Sequence, residues 1–338
     1  VNLDDETMNQ PSTHLESALE RMRAFRSSRT NTYRLIHGEA HGWRGWSVDR
    51  FGGWLLSQSE GGLSPNQRGL LSELVAATPE LRGAYHKKLD RHVRQAGPEN
   101  SSPELAVGDA APDEFDVMEN GARYAISFRE GYSVGLFLDQ RENRGRIREK
   151  TIARGFSVFP NGAANSEVLN AFAYTCAFSV TAAGAGARVT SLDLSRKYLD
   201  WGRRNFHLNE LDPEQHDFIY GDAFDWMKRL TKNLRLYDLI ILDPPTFSKS
   251  KQRGVFKAEK HFGDLTAAAL GLLRRGGVLY CSCNAARLSD EAFEAMIRGA
   301  VADAGRKVER SKAPEQPGDF PITRETPAYL KQLWLRVR

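Results

Sequence analysis

The sequence predicts an α/β chain in which a doubly wound domain with a mostly parallel sheet follows a smaller, strand-rich α+β domain. Three observations predict it. Beyond residue 160, short apolar runs alternate with helical stretches, as they do when a parallel sheet is covered on both faces. Ahead of that point, apolar and polar residues alternate around glycine-rich breaks, which reads as antiparallel strands. Acidic residues stand at the ends of several of the later runs, where open parallel sheets carry their ligands. The expected division is a helical arm over 1–30, the small domain over 31–150 and the doubly wound domain over 151–338.

The chain has 338 residues, 41% of them hydrophobic and 27% charged, which is the composition of a soluble globular protein with room for two domains. No run approaches the ~18 apolar residues of a membrane span. The polar opening "VNLDDETMNQ" lacks the basic start and apolar middle of a secretory signal, so a cytoplasmic location with no membrane partner is expected. Three cysteines cannot build a disulfide framework. No cysteine and histidine cluster at zinc spacing accompanies Cys281 and Cys283, so no metal is expected. The net charge of +4 says little about partners by itself, and local clusters of charge say more.

Taken in order, "STHLESALERMRAF" places Leu15, Ala18, Leu19, Met22 and Phe25 at helical spacing. Thr13 and Glu16 stand as a capping box, so a helix is expected from about residue 14. The stretch from Tyr33 to Gln58 reads as two or three antiparallel strands, followed by a helix in "NQRGLLSELVAAT" and a strand in "LRGAYHKKL". The Pro-, Gly- and Ser-rich "RQAGPENSSPELAVGDAAPDE" reads as a flexible loop. A hairpin and a basic helix are expected across "ENGARYAISFREGYSVGLFLDQRENRGRIRE". The runs of the larger domain are "EVLNAF", "RVTSLDL", "DFIYGD", "YDLIILD" and "GGVLYCSC".

Asp193 ends the second run about 20 residues beyond Phe172, a distance at which one carboxylate can take both hydroxyls of a ribose. The first loop lacks G-x-G-x-x-G, so a cofactor without phosphates, S-adenosylmethionine, is favoured over a nicotinamide dinucleotide. Asp222 ends the third run and suits an adenine edge. Asp243 opens "DPPTFS" after the fourth. Two successive prolines offer no backbone donors and leave a rigid, carbonyl-lined edge able to hold a planar base, although Asp-Pro-Pro can also simply end a strand.

"VLNAFAYTCAFSVTAAGAGARVTSLDLSRKYLDWGRRNFHLNEL", "YDLIILDPPTFSKSK" and "GLFLDQRENR" resemble the class I S-adenosylmethionine-dependent 23S rRNA large-subunit methyltransferases of bacteria, and the resemblance runs from about Tyr33 to the last residues. It implies a Rossmann-like domain with a seven-stranded sheet. It also implies a cofactor site lined by Asn170, Phe172, Tyr174, Asp193, Leu194, Asp222, Ala223, Asp243 and Pro244, covered by Asp139, Gln140 and Arg141 of "LDQR". Cys176 departs from the glycine that the family usually has after Tyr-Thr. Many relatives begin with an RNA-binding PUA domain; too few residues precede Tyr33 to form one, so RNA docking is expected on the strand-rich domain and on basic loops.

Two branches of that family do different chemistry. Cytosine carbon 5 is a poor nucleophile, and its methylation requires a thiolate to add first at carbon 6. "SCN", with Cys283 at the end of the fifth run and expected to face the cleft of Asp243, resembles the nucleophile motif of carbon 5 enzymes. Asp243 is then expected to stabilise charge on the base, and Glu325 in "DFPITRE" to act as general base by a looser resemblance. Guanine nitrogen 7 has a free lone pair and needs only positioning. "LDLSRKYLDWGRRNFHLNEL" and "DPPTFSKSK" resemble that branch more closely, and in it Cys283 would be a packed thiol. 5-Methylcytosine is the preferred product and 7-methylguanine the alternative; an inert RNA-binding assembly factor and a dehydrogenase are further readings. Pro245, Thr246, Phe247, Lys249, Lys251 and Arg253 are expected to meet the substrate, 23S rRNA or a large-subunit precursor. Lys257, Lys260 and Phe256 adjoin that group, and Arg141, Arg144, Arg146 and Arg148 form a second basic cluster suited to phosphates. Trp43, Trp46 and Trp54 suit core packing better than base stacking. The sequence leaves open whether the chain is a monomer or a homodimer.

Overall fold

The computed structural model describes residues 10–89, 102–130, 133–250 and 254–338. Lys251 and Arg253 lie outside the described residues, and the side chain of Lys249 is likewise not described. The chain divides into two compact units, residues 1–138 with 317–327, and residues 139–316 with 328–338.

In the first unit, α1 (Gln10–Phe25) begins one turn earlier than the Thr13 cap predicts. Pro11 falls in its first turn, where a missing N–H costs nothing, so Thr13 lies inside the helix. Strands β1 (Thr32–His37), β2 (Trp46–Phe51) and β3 (Trp54–Ser59) form an antiparallel meander. Helix α2 (Pro65–Ala77) opens on a full capping box between Ser64 and Gln67 and leads to β4 (Gly83–Lys88), which pairs parallel to β3. The segment read as a flexible loop contains a strand instead. Strand β5 (Glu104–Gly108) pairs antiparallel with β4 at the sheet edge, where glycines at 83 and 108 let the two backbones approach without a Cβ between them. A hairpin of β6 (Phe115–Glu119) and β7 (Ala122–Ile126) follows as expected. Trp46 and Trp54 are buried, with Trp46 Nε1 donating to Ser57 Oγ at 2.6 Å, and Trp43 packs its ring against His14 and Trp46. These rings serve the core of the first unit rather than a base-stacking surface.

The second unit begins with α3 (Arg141–Arg148), the basic helix that the sequence reading assigned to the end of the small domain. A short hairpin, β8 (Thr151–Ala153) and β9 (Phe156–Ser157), precedes the main sheet. The five apolar runs become β10 (Glu167–Ala171), β11 (Arg188–Asp193), β12 (Asp217–Tyr220), β13 (Tyr237–Leu242) and β16 (Leu273–Cys283), all parallel. Between the last two lies the hairpin β14 (Phe247–Ser250) and β15 (Gly254–Lys257). Helices α4 (Ala177–Gly184), α5 (Arg196–Leu208), α6 (Ala223–Lys232), α7 (Ala258–Leu270) and α8 (Asp290–Asp303) make the crossovers. Strands β17 (Val308–Lys312) and β18 (Lys331–Val337) complete a seven-stranded sheet in the order β12-β11-β10-β13-β16-β18-β17, with β18 antiparallel to both its neighbours. The seven strands and their mostly parallel pairing agree with the fold expected. Every residue of β13 is buried, as a central strand covered on both faces requires. Strand order reverses between β10 and β13, which opens a crevice at their carboxyl ends.

Candidate active site

The loop from β10 to α4, "FAYTCA", borders that crevice. Phe172, Tyr174 and Cys176 have φ of 62°, 49° and 63°, so alternate residues take the left-handed conformation that glycine adopts without steric cost. The loop thus has the backbone of a glycine-rich turn without its glycines. At Cys176 the departure from the family's glycine leaves the path glycine-like, and space for the side chain is found elsewhere. Gly202 on α5 carries no Cβ, and one built there would stand 2.8 Å from Cys176 Cβ and collide with its sulfur. Burial pushes the Cys176 thiol up to about 12, which marks it as packing.

Asp193, at the end of β11, holds the loop in place. Its carboxylate accepts from Tyr174 N and Ser195 N, each at 2.8 Å, one on each oxygen. Burial raises its pKa while these backbone donors oppose the rise. Leu194 beside it is exposed. Asp222 caps α6 by accepting from Phe224 N and Asp225 N on one oxygen, and Ala223 is buried behind it. Phe172 packs its ring toward Phe256 at 6.0 Å, and Tyr174 stands edge-on to Tyr198. Asn170 is buried and donates to Ser179 Oγ at 2.9 Å, which ties β10 to α4.

Asp243 follows β13 directly. Its carboxylate accepts from Ser282 Oγ and from Gln140 Nε2, the latter at 3.2 Å. Burial pushes its pKa up to about 6 and the Asp139 carboxylate adds to the rise, while the Ser282 and Gln140 bonds and the Arg144 charge oppose it. Gln140 is bonded at both ends. Its Nε2 also donates to Ser282 Oγ at 3.1 Å, and its Oε1 accepts from Tyr280 OH at 2.7 Å and Asn143 Nδ2 at 2.9 Å. Asn143 continues the network to Gln332 and accepts from Trp334 Nε1 at 3.0 Å. Asp139 accepts from Tyr329 OH at 2.9 Å. Ser282, Tyr280, Asn143, Gln332 and Trp334 were not among the site residues read from the sequence. The one signal available was the alternation along β16, which puts Tyr280 and Ser282 on one face and Cys281 and Cys283 on the other.

That alternation also corrects the expected position of Cys283. Asp243 meets Ser282, whereas Cys283 belongs with Cys281 to the apolar cluster of Phe262 and Phe293 on the opposite face. Cys283 is 1% exposed, and its sulfur accepts a hydrogen bond from Ala285 N at 3.4 Å. Burial raises its pKa; the Ala285 N–H and the Lys331 charge pull it down, and Asp243 and Glu259 push it up. The Asp-Pro-Pro-Thr and Ser-Cys-Asn segments nevertheless meet, because Thr246 Oγ1 donates to Asn284 Oδ1 at 2.7 Å. Pro244 is buried, Pro245 and Phe247 are exposed, and Lys257 and Lys260 are exposed close by in sequence. Glu325 is an exposed residue of the 317–327 segment, which belongs to the first unit.

The second basic cluster also needs correction. Arg141 and Arg144 are 6% and 3% exposed, with Arg144 over the Phe178 ring, so neither guanidinium can meet a phosphate without leaving the core. Arg146 and Arg148 are half-buried. Arg141 stands next to Gln140 and pairs with Glu142 at 3.3 Å.

A cofactor with a ribose diol, an adenine and a positively charged sulfonium and amino group needs carboxylates at successive strand ends and no phosphate cradle. Asp193 ends β11, and Asp222 and Asp243 follow β12 and β13, beside a loop without the triple glycine. The model of an S-adenosylmethionine-dependent methyltransferase family matches residues 73–336. A protein named ribosomal RNA large subunit methyltransferase I, from Escherichia coli O139:H28, is 30% identical over 311 residues, which cover 91% of this chain and 75% of that protein. The protein of the same name from Shigella dysenteriae serotype 1 is also 30% identical, over 91% of this chain and 74% of its own. A methyltransferase candidate solved as a complex with SAH has a TM-score of 0.79 and 28% identity, over 96% of this chain and 81% of its own. A solved candidate S-adenosylmethionine-dependent methyltransferase from Streptococcus mutans has a TM-score of 0.77, 27% identity and the same coverage. With the strand-end carboxylates and the strand order in agreement, the chain belongs to the S-adenosylmethionine-dependent methyltransferase family.

Proposed function

We propose that this methyltransferase modifies carbon 5 of a cytosine in the 23S RNA of the large ribosomal subunit, with Cys283 as nucleophile. The RNA substrate is supported by the name of the relatives from Escherichia coli and Shigella, ribosomal RNA large subunit methyltransferase I. The base and the nucleophile rest on one contact, the Thr246–Asn284 hydrogen bond of 2.7 Å, which joins the planar-base edge of Asp-Pro-Pro-Thr to the turn that follows Cys283.

S-adenosylmethionine supplies an electrophilic methyl group on a sulfonium. Cys283 loses its proton to water and its thiolate adds to carbon 6, which pushes the ring electrons toward carbon 5 and nitrogen 3. Asp243, held at about 6, is close enough to neutrality to donate a proton to nitrogen 3 as charge develops there and to recover it later. Carbon 5 then takes the methyl group as its bond to the sulfonium breaks, which leaves the neutral thioether S-adenosylhomocysteine. Loss of the carbon 5 proton to a base re-forms the carbon 5–carbon 6 double bond and expels the thiolate. Because Cys283 is 1% exposed and faces away from Asp243, the side chains that cover its sulfur must move aside, and the base must leave its stack and lie across the end of β16 with carbon 6 toward the sulfur and nitrogen 3 toward Asp243.

The same burial, with the thiol raised above its ordinary range, favours a second reading in which Cys283 only packs and guanine nitrogen 7 is methylated by positioning. Nucleoside mass spectrometry separates them. Unmodified bacterial 23S RNA incubated with the protein and heavy-methyl S-adenosylmethionine is expected to yield heavy 5-methylcytidine, and Cys283→Ala is expected to yield none while binding S-adenosylhomocysteine as wild type does. Heavy 7-methylguanosine, or full activity in Cys283→Ala, would end the covalent reading.

A further inference from the structure

We propose that Lys331 is a positioning residue for the nucleophile: it sets a buried cation on the face of Cys283 and pins the turn whose backbone N–H points at the sulfur. This rests on the reading of Cys283 as nucleophile. Strands β16 and β18 run antiparallel with Cys283 directly opposite Lys331, and residues opposed in this way share a face with Cβ atoms ~5 Å apart. Toward the middle of the sheet, the next residues on that face, Cys281 and Leu333, are ordinary members of the apolar cluster. Lysine is the exception in the row.

Lys331 is only 5% exposed. A lysine is seldom buried so far, because an ammonium taken from water must find compensating partners. Its Nζ donates to Ala285 O at 2.9 Å and to Tyr329 O at 3.1 Å. Both acceptors are uncharged, and among the described residues Lys331 makes no ion pair. A methionine or leucine would fill the same slot at less cost, so packing does not account for the charge. The first of the two bonds does more than satisfy the ammonium. The carbonyl of Ala285 holds Lys331, while the N–H of the same residue is the donor to Cys283 Sγ at 3.4 Å. Fixing one side of Ala285 therefore fixes the donor on its other side.

The groups acting on the sulfur can be set against one another. Burial in the apolar cluster, with the charges of Asp243 and Glu259 of α7, disfavours the thiolate, whereas the Ala285 N–H and Lys331 favour it. The resting group is thus a protonated thiol. When its proton leaves to water, the charge formed lies beside a cation already desolvated and oriented. Without Lys331, ionisation would place an isolated anion among apolar side chains.

The test titrates the thiol itself and needs no RNA. Thiolate absorbance is followed against pH in the 338-residue chain, and the contribution of Cys283 is taken as the difference from Cys283→Ser, which cancels the tyrosines and the other two thiols. Lys331→Gln is expected to raise the Cys283 midpoint by about one pH unit or more, the usual effect of removing a close opposite charge, and Lys331→Arg to leave it near wild type. The acid limb of the methylation pH profile should move upward with Lys331→Gln. Binding of S-adenosylhomocysteine reports folding, and Lys331→Met, which fills the slot without a charge, replaces Lys331→Gln should that variant not fold. A midpoint that does not move in the uncharged variant overturns the assignment of Lys331. Failure of the nucleophile reading gives a different result, methylation retained in Cys283→Ala whatever the midpoint does.

Discussion

At Asp243 stability and chemistry pull in opposite directions. The carboxyl group is pushed from 3.8 to about 6 by burial, so the fold prefers its protonated form. A raised acid is fully compatible with folding below its unfolded pKa, and the penalty grows as pH climbs from about 4 to about 6, reaching about 2–3 kcal/mol above that window. Asp243→Asn, which cannot ionise, should therefore gain stability relative to wild type as pH rises, by roughly that amount between pH 4 and pH 8, while methylation falls by at least ~100-fold. Denaturant unfolding at the two pH values measures this; a stability difference independent of pH would show that Asp243 titrates normally. Asp243 was legible in the sequence because Asp-Pro-Pro after an apolar run is local. Its partners Gln140, about 100 residues earlier, and Ser282, about 40 later, join it only because β13, β16 and α3 converge.

The element that departs most from expectation is the β10–α4 loop. Its sequence contains no glycine to announce a tight turn, yet three residues in it have positive φ, each at a cost of ~1–2 kcal/mol. The loop tolerates this because its backbone is held from outside, by Asp193 on Tyr174 N and by Asn205 Nδ2 of α5 on Thr175 O at 2.8 Å. Cys176 and Gly202 form the corresponding packing pair. Gly202→Ala should destabilise the protein by about 1–3 kcal/mol through overpacking, despite the better helix propensity of alanine. In a Cys176→Gly background the same substitution should cost little, since the sulfur it strikes is gone. Thermal unfolding of the four proteins closes the cycle, and additive effects would mean that the two residues do not share the space. The strand β5 was missed for a related reason: its alternation of Leu105 and Val107 is short and embedded in loop-forming residues, and pairing with β4 overrides that local bias.

For the whole molecule, the question is where the proposed RNA substrate would be met. Two basic clusters stand out in the sequence, but burial of Arg141 and Arg144 withdraws half of the second from the surface. The segment containing Lys249, Lys251, Arg253, Lys257 and Lys260 is the stronger candidate, with exposed Phe247 beside it. Each phosphate contact releases counterions, so Lys251→Ala or Arg253→Ala should weaken RNA binding and lower the slope of log affinity against log salt by about one. Filter binding over a salt series reads this directly. An unchanged slope in both variants would remove the segment from the RNA interface.

Sequence by itself determined the alternation of strands and helices in the second unit, the five parallel strands, the acidic residues at their carboxyl ends and the cofactor those residues suit. All of these depend on residues a few positions apart, where periodicity and turn chemistry act. The tertiary structure alone decided that Asp243 and Cys283 lie on opposite faces, that Lys331 stands across from Cys283, that two arginines of a basic helix are core residues, and that a loop without glycine takes a glycine-like path. Those outcomes depend on strand register and on packing between segments distant along the chain, and register is set by the burial of the whole sheet rather than by any one stretch of it.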